Sequence, residues 1–382
     1  MTYPYTPEWL KKAPERAKKR LQSVEDFMLC YIAATIKNAD LETLKCWKRA
    51  GYSDEKMKRK LSELTGAARA EIERTFKEAL KQGRDYYTEL YRAAGKKEAE
   101  TRTQLEQMQE ETQRREEQTV KRLTQNYGFN LGRLGGPLFC PFPVIIPELA
   151  AEILLHNETT EAEIQAEVDR IISMLAEQGA TTAGTQEAGS DLGRIVERDI
   201  RTELADISRK FEDAAAGLLD TDIYEVTAHW GARDKDGPNP WSNHERWQGR
   251  LYSKTGSSGY PSIYEVCGLD EVDGLLGVNC RHGYRCFVPG LMQRMYTERD
   301  LAEMKWKKPR EYAGREYSYY EATQALRRAE HKARTLQRQA AAERAAGLTA
   351  KAELHEARRR AVVEEYDKFI KALDLKREER GL

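Results

Sequence analysis

The sequence predicts a mainly α-helical protein with one small α+β lobe, in which long helical arms flank a compact domain in the C-terminal half. Three observations predict this class. Apolar residues recur at helical spacing over most of the chain, Gly, Pro, Ser and aromatic residues concentrate between residues 231 and 290, and charged residues make up 33% of the sequence. A chain of 382 residues is too long for one ordinary core, so we expect two or three domains.

Composition argues against several classes of protein. Lys and Arg together number 63, as do Asp and Glu, and this zero formal net charge argues against a dedicated nucleic-acid-binding protein. The six cysteines form no CxxC pair and suggest no disulfide framework, which favours a reducing cytoplasm. We expect no membrane partner, because no stretch approaches the ~20 apolar residues of a membrane span and the N-terminus shows no signal-peptide pattern.

Residues 1–97 predict a helical N-terminal domain. Ser23 with Asp26 offers an N-cap for a helix whose apolar residues share one face, and Asp40 begins a second, short helix. A third helix is expected to stop at Thr65-Gly66. The apolar stripes on these helices are thin, which suits either a small bundle or helices that also pack on a partner.

Residues 98–150 predict a charged helix followed by a Gly/Pro-rich connector. Charges of both signs crowd the part up to residue 125, as in an exposed helix that separates domains. The remaining residues are rich in Gly and Pro and mark the clearest domain boundary in the chain.

Residues 151–220 predict a pair of amphipathic helices. Thr160 and Glu163 form a capping-box pattern before the first helix, which is expected to end at Gly179. A second helix with the same apolar periodicity is expected over residues 192–217.

Residues 221–290 form the predicted α+β lobe. Residues 222–230 alternate as in a β-strand, and the rest of the lobe combines turn residues with short strand signals. Residues 291–382 are expected to return to helix and to remain helical, as a C-terminal helical arm.

Four residues of the lobe have side chains that zinc prefers, namely His229, His244, Cys280 and His282. If Cys280 and His282 lie on one strand, their side chains point to the same face, where a thiolate and an imidazole can share a tetrahedral zinc ion with the other two histidines. The alternative is that the histidines hydrogen-bond the backbone and hold an irregular lobe together. No CxxC or HExxH spacing decides between these two interpretations.

A catalytic interpretation of the lobe rests on fewer features. Cys280 beside a histidine has the residue types of a nucleophile and its base. The sequence shows no oxyanion-forming loop, however, and a Cys-His pair is not a triad. A nuclease built on His244, Asn279 and His282 lacks the local spacing of metal-dependent nucleases. We therefore expect no catalytic residues.

The lobe also resembles a family of phage proteins. Its motifs are, in order, His229-Trp230-Gly231-Ala232-Arg233, the ten residues from His244 to Ser253, the nine residues from Gly274 to His282, and Phe287-Val288-Pro289-Gly290. These ordered motifs resemble the phage minor capsid protein 2 family and, more distantly, the Mu-type F head-morphogenesis proteins. The likeness covers residues 150–382 well and the N-terminal helices loosely.

The resemblance implies a structural protein, not an enzyme, that belongs to the virion, in the interior of the phage head, and to the host cytoplasm during assembly. It would dock on the portal protein and on the major capsid or scaffolding protein during head assembly and genome packaging. Among the N-terminal helices, Trp9, Tyr31 and Trp47 are the expected aromatic anchors for the portal. The rival hypothesis is a metal- or cysteine-dependent hydrolase, or a toxin, packaged in the head.

The predicted C-terminal arm carries many basic residues among acidic ones. Packaged DNA nearby would make non-specific phosphate contacts with them, whereas a solvated helical face is the commoner reason for such a mixture. The basic residues are Arg327, Arg328, Lys332, Arg334, Arg338, Arg358, Arg359, Arg360, Lys368, Lys371, Lys376, Arg377 and Arg380.

Overall fold

The computed structural model describes residues 2–156, 160–183, 191–256, 259–277 and 280–375. Most of these residues are helical, which confirms the mainly α fold predicted from the sequence. The helices are α1 (Pro7–Lys12), α2 (Glu15–Lys37), α3 (Leu41–Ala50), α4 (Glu55–Ala93), α5 (Glu98–Thr124), α6 (Ile145–His156), α7 (Glu161–Gln178), α8 (Leu192–Leu219), α9 (Ile263–Cys267), α10 (Glu298–Glu303), α11 (Tyr319–Ala345) and α12 (Thr349–Ala372).

The strands form small antiparallel sheets. They are β1 (Tyr127–Phe129), β2 (Cys140–Pro141), β3 (Thr181–Thr182), β4 (Ile223–Val226), β5 (Leu251–Ser253), β6 (Tyr284–Cys286), β7 (Arg310–Tyr312) and β8 (Arg315–Tyr317). One sheet has the order β2-β1-β3, a second has the order β5-β4-β6, and β7 pairs with β8. In the second sheet Tyr224 lies opposite both Tyr252 and Cys286, and this sheet with α9 is the predicted α+β lobe.

The chain forms two compact units, each built from three stretches of sequence. Unit 1 contains Met1–Pro14, Glu73–Glu117 and Ile200–Ala325, and therefore includes the lobe. Unit 2 contains Glu15–Ile72, Gln118–Asp199 and Leu326–Leu382.

Several helix ends agree with the sequence signals. The Asp40 side chain accepts a hydrogen bond from the Thr43 backbone N–H at 2.8 Å, and α3 begins at the next residue. The Thr160 hydroxyl likewise accepts from the Glu163 backbone N–H, and α7 ends just before Gly179. Local capping and apolar periodicity were therefore sufficient to predict these elements.

Two predicted helix ends are wrong. Ser23 lies inside α2, where its hydroxyl donates to the Lys19 carbonyl at 3.1 Å and caps nothing. Gly66 lies inside α4, which runs without a break for 39 residues. A glycine inside a helix costs only about 1 kcal/mol relative to alanine, and the fully buried Ala68 and Ile72 show that packing of the helix outweighs it.

The strands of the lobe also differ from the prediction. The strand predicted over residues 222–230 ends at Val226, because the next residue, Thr227, uses its hydroxyl to bond the backbone of Gly283. Cys280 and His282 do not lie on a strand as predicted, and they precede β6 in irregular backbone. Their side chains nevertheless converge, as described below.

The region after residue 290 is not continuously helical, as it was predicted to be. Strands β7 and β8 form a tight hairpin between α10 and α11. Ala313 and Gly314 connect them with φ angles of 51° and 76°, as a two-residue turn with positive φ at both positions requires. Alanine is a poor sequence signal for this turn, which explains why the hairpin was missed.

A network of buried charges holds the helices of unit 2 together. Arg338 of α11 is 1% exposed, and its guanidinium lies 2.8 Å from an Asp191 carboxylate oxygen and 3.4 Å from Oε2 of Glu25, which is fully buried in α2. Arg334 contacts the same Glu25 oxygen at 3.0 Å. Arg334 and Arg338, two of the arginines considered for DNA contact, thus pair with acidic side chains inside unit 2.

Backbone groups complete this network. Arg338 donates to the carbonyl oxygens of Ala176 and Glu177 at the end of α7, and Glu25 Oε1 accepts from the Ala180 N–H at 2.9 Å. Gly179 lies between them with a φ of 78°, and a Cβ atom there would be 2.7 Å from Glu25 Oε1. Only glycine suits this position, because the backbone has a positive φ and because a Cβ atom would collide with the Glu25 carboxylate.

We predict that Arg338→Ala destabilises the protein by about 3–5 kcal/mol, because it leaves the Glu25 and Asp191 carboxylates buried with less counter-charge. The measurement is urea unfolding of the full chain. Arg359→Ala is the matched control, since Arg359 pairs with Glu356 at the surface, and its effect should stay within about 0.5 kcal/mol. Equal losses in the two variants would contradict the importance of the network.

In unit 1 a single buried carboxylate connects α8 to the lobe. Glu212 is fully buried, and its two oxygens accept hydrogen bonds of 2.7 Å from the Tyr87 hydroxyl and from the backbone N–H of Cys286 in β6. Burial raises the pKa of Glu212 to about 7. This contact fixes β6, the strand that directly follows Cys280 and His282.

The raised pKa of Glu212 predicts that stability falls as pH rises. Below its ordinary pKa the carboxyl is protonated in both folded and unfolded chains. Between that value and about 7 only the unfolded chain releases the proton. The free energy of unfolding therefore falls by up to about 3 kcal/mol over this pH range. Glu212→Gln should remove this loss, as measured by urea unfolding at about pH 5 and about pH 8.

The control for this pH dependence is Glu203→Gln on the same helix, where Glu203 pairs with Arg115. Its stability should follow the pH dependence of the wild-type protein. The assignment of the pH effect to Glu212 is refuted if Glu212→Gln and the wild type change in parallel.

Candidate functional site

The four residues predicted as zinc ligands lie at one end of the lobe's sheet. His229 follows β4, and His282 precedes β6, whose first residue Tyr284 pairs with the last residue of β4, Val226. His244 begins a short 3-10 turn, His244–Arg246, and Cys280 comes two residues before His282. Antiparallel pairing of β4 and β6 thus explains why His229 and His282 meet although they are far apart in sequence.

Asp273 fixes the loop that carries His244. Its carboxylate accepts hydrogen bonds from the Trp241 indole N–H at 2.9 Å, the Asn239 amide at 3.2 Å and the Ser242 hydroxyl. These bonds hold the pKa of Asp273 below its usual value, the bond from Ser242 contributing most. Asp273 could not be predicted from the sequence, because an aspartate next to a glycine gives no signal of such a role.

Three of the four predicted ligands converge on one point. The Cys280 Sγ atom lies 3.6 Å from Nδ1 of His282 and 3.8 Å from Nδ1 of His244, and the three ligand atoms lie within 4.8 Å of one another. Both histidines are buried, with 3% and 2% exposure for His244 and His282, whereas Cys280 is half-buried. We call these three residues the His-Cys cluster.

Hydrogen bonds fix the tautomers of both histidines in the His-Cys cluster. Nε2 of His244 lies 2.9 Å from the Asp273 carbonyl oxygen, which can only accept, so this nitrogen carries the proton. Oε1 of Gln248 accepts from the His229 backbone N–H at 3.0 Å, which identifies that atom as the oxygen. Nε2 of His282, 3.0 Å from the same oxygen, must therefore donate to it. Both Nδ1 atoms are left with lone pairs that face the sulfur.

His229 lies beside the His-Cys cluster and outside the group of converging ligand atoms. Its ring stacks on that of His282, with centroids 4.3 Å apart and an angle of 25° between the planes. Its Nδ1 lies 2.9 Å from the Trp230 carbonyl oxygen. Asn279, a residue of the nuclease alternative, lies outside the described residues.

Burial controls the protonation of the His-Cys cluster. It lowers the pKa of His244 to about 4 and holds that of His282 well below its usual value, so both imidazoles are neutral at physiological pH. It also raises the pKa of the Cys280 thiol, which reduces the fraction of reactive thiolate. The arrangement therefore suits a set of metal ligands or hydrogen-bonding side chains better than a nucleophile and base.

Comparisons with known proteins give the family. No curated protein and no solved structure matches the chain. Among the described helices, none combines the length and apolar character needed to cross a membrane. Residues 6–371 match the phage minor capsid protein 2 family, so the resemblance of the lobe extends through nearly the whole sequence. The chain therefore belongs to the phage minor capsid protein 2 family and is a structural component of a bacteriophage capsid.

Proposed function

We propose that the protein docks on the portal and on the inner surface of the capsid, where it acts in head assembly and genome packaging. The observation that carries this proposal is the family match over residues 6–371, which includes residues of both compact units. A capsid component must contact other head proteins, and a minor component is suited to a special position such as the portal vertex. The burial of the His-Cys cluster favours a structural role over a catalytic one.

A group of half-buried aromatic side chains in unit 2 offers a docking surface. The rings of Trp47 and Tyr52 meet edge to face with centroids 5.1 Å apart, and Tyr31 packs on Tyr52. The Tyr31 hydroxyl donates to Asp54 at 2.7 Å, which fixes the orientation of the ring. Rigid, partly exposed aromatic side chains of this kind dominate the energies of many protein interfaces.

The charge around these rings suggests the character of the partner's surface. Lys48 and Arg49 are exposed in the last turn of α3, directly after Trp47. An acidic partner surface would be steered toward these charges before the aromatic rings engage. We therefore propose that Tyr31, Trp47 and Tyr52 contact an acidic surface of the portal protein.

Trp47→Ala should lower the amount of portal protein that co-purifies with this chain by at least about tenfold, because truncating an aromatic anchor typically costs 2 kcal/mol or more. The experiment is affinity purification after co-expression with the cognate portal protein. Trp306→Ala is the matched control, since Trp306 is also half-buried, packs on Tyr319 and lies in unit 1.

Circular dichroism and thermal melting must show that both tryptophan variants are folded. Portal recovery that is equal in the two variants, or unchanged in Trp47→Ala, would remove this surface from the proposal. Trp9, the remaining predicted anchor, packs on Tyr5 in unit 1 and stays a prediction for portal binding.

We also propose that the C-terminal helices contact packaged DNA, but through fewer basic residues than the sequence suggested. Arg334 and Arg338 are committed to buried carboxylates, whereas Arg358 and Arg360 are exposed on α12 and remain candidates for phosphate contacts. Lys376, Arg377 and Arg380 lie outside the described residues.

A further inference from the structure

We propose that the His-Cys cluster binds one zinc ion through Nδ1 of His244, Sγ of Cys280 and Nδ1 of His282. The ion joins the loop after β4 to the segment before β6 and so stabilises the lobe. This inference does not depend on portal docking, because it concerns the lobe alone.

The protonation of the cluster is the first support. A zinc-binding histidine typically donates its second ring N–H to a carbonyl or carboxylate, which leaves the coordinating nitrogen with a lone pair. His244 donates to the Asp273 carbonyl and His282 to the Gln248 amide oxygen, and both lone pairs face Cys280. The outer hydrogen bonds of a zinc site are thus already formed.

The distances are the second support. Zinc bonds of about 2.3 Å to sulfur and about 2.0–2.1 Å to nitrogen, at a tetrahedral angle, separate those two atoms by about 3.6 Å. The sulfur of Cys280 lies 3.6 and 3.8 Å from the two nitrogens. The same bonds place two coordinating imidazole rings about 5 Å apart, centroid to centroid, and the rings of His244 and His282 are separated by 5.4 Å at 61°.

Ring geometry also separates His229 from the three ligands. Its ring is stacked on that of His282 with centroids only 4.3 Å apart, whereas two rings that coordinate one zinc ion have centroids about 5 Å apart. We therefore assign the fourth position to a solvent molecule and give His229 the role of packing against a ligand.

If only hydrogen bonds among the described residues held the cluster, it would lack one proton. The Cys280 thiol has one S–H to donate, and two Nδ1 atoms accept. Among the described residues, no other donor reaches either nitrogen. A metal ion satisfies the sulfur and both nitrogens at once, and a site with one sulfur and two imidazole ligands suits zinc better than magnesium or calcium, which prefer oxygen.

The experiment is metal analysis of the purified full chain after dialysis against zinc. The wild-type protein should retain about one equivalent of zinc. Cys280→Ser and His282→Gln should retain less than about a tenth of that amount, because each removes one of three protein ligands. His229→Gln should retain the metal, as should Cys140→Ser, which replaces a buried cysteine of unit 2.

Cobalt substitution of the wild-type protein provides a test that does not depend on whether the variants fold. Co(II) bound to the cluster should show the absorption of tetrahedral cobalt together with a sulfur-to-cobalt charge-transfer band. Gln248→Ala, which removes the hydrogen bond that orients His282, should weaken zinc binding about 10–100-fold in competition with a chelator. Gln248 thus acts as a positioning residue.

A protein without metal, whose melting temperature is insensitive to chelators and which gives no sulfur-to-cobalt band, would overturn the proposal. Loss of zinc in His229→Gln would overturn the assignment of ligands. Hydrolysis of a peptide, ester or nucleic acid that disappears in Cys280→Ser, with the melting temperature unchanged, would overturn the stabilising role given to the ion.

Discussion

A buried charge without a partner costs several kcal/mol, and the interior of each compact unit is arranged to avoid that cost. In unit 2 the Arg338 guanidinium lies between the carboxylates of Glu25 and Asp191. In unit 1 the Glu225 carboxylate pairs with Arg285, 2.7 Å away, while Glu212 accepts two hydrogen bonds and has a raised pKa. Because the apolar faces of these helices are thin, such ion pairs and hydrogen bonds help to fix how the helices of each unit pack.

In the lobe, too, polar side chains that are paired with one another hold the structure together. Its strands are only three or four residues long, so few backbone hydrogen bonds hold the sheet together. Hydrogen bonds made by side chains add to those of the short strands. The Asp273 carboxylate holds the loop that carries His244, and the Gln248 side chain joins His229 to His282. A zinc ion at the His-Cys cluster would add a bond of greater strength at the point where these loops meet.

Local signals in the sequence predicted much of the fold, whereas the long-range contacts could not be predicted from it. Caps and periodicity predicted α3 and α7, because those features act within a few residues. The continuation of α4 through Gly66 depends on packing that no local pattern records. Residue types indicated the members of the His-Cys cluster, but not the roles of Asp273 and Gln248, which arise only from proximity in the folded chain.

The pairing of Glu25 with Arg338 spans 313 positions of sequence, and this separation has a consequence for synthesis of the chain. Glu25 therefore leaves the ribosome long before its counter-ion Arg338 has been synthesised. Until then Glu25 lacks its counter-charge, so the charge network of unit 2 cannot form on a chain that ends before α11. A chain cut short before α11 would therefore have a less stable unit 2 and be more open to proteolysis.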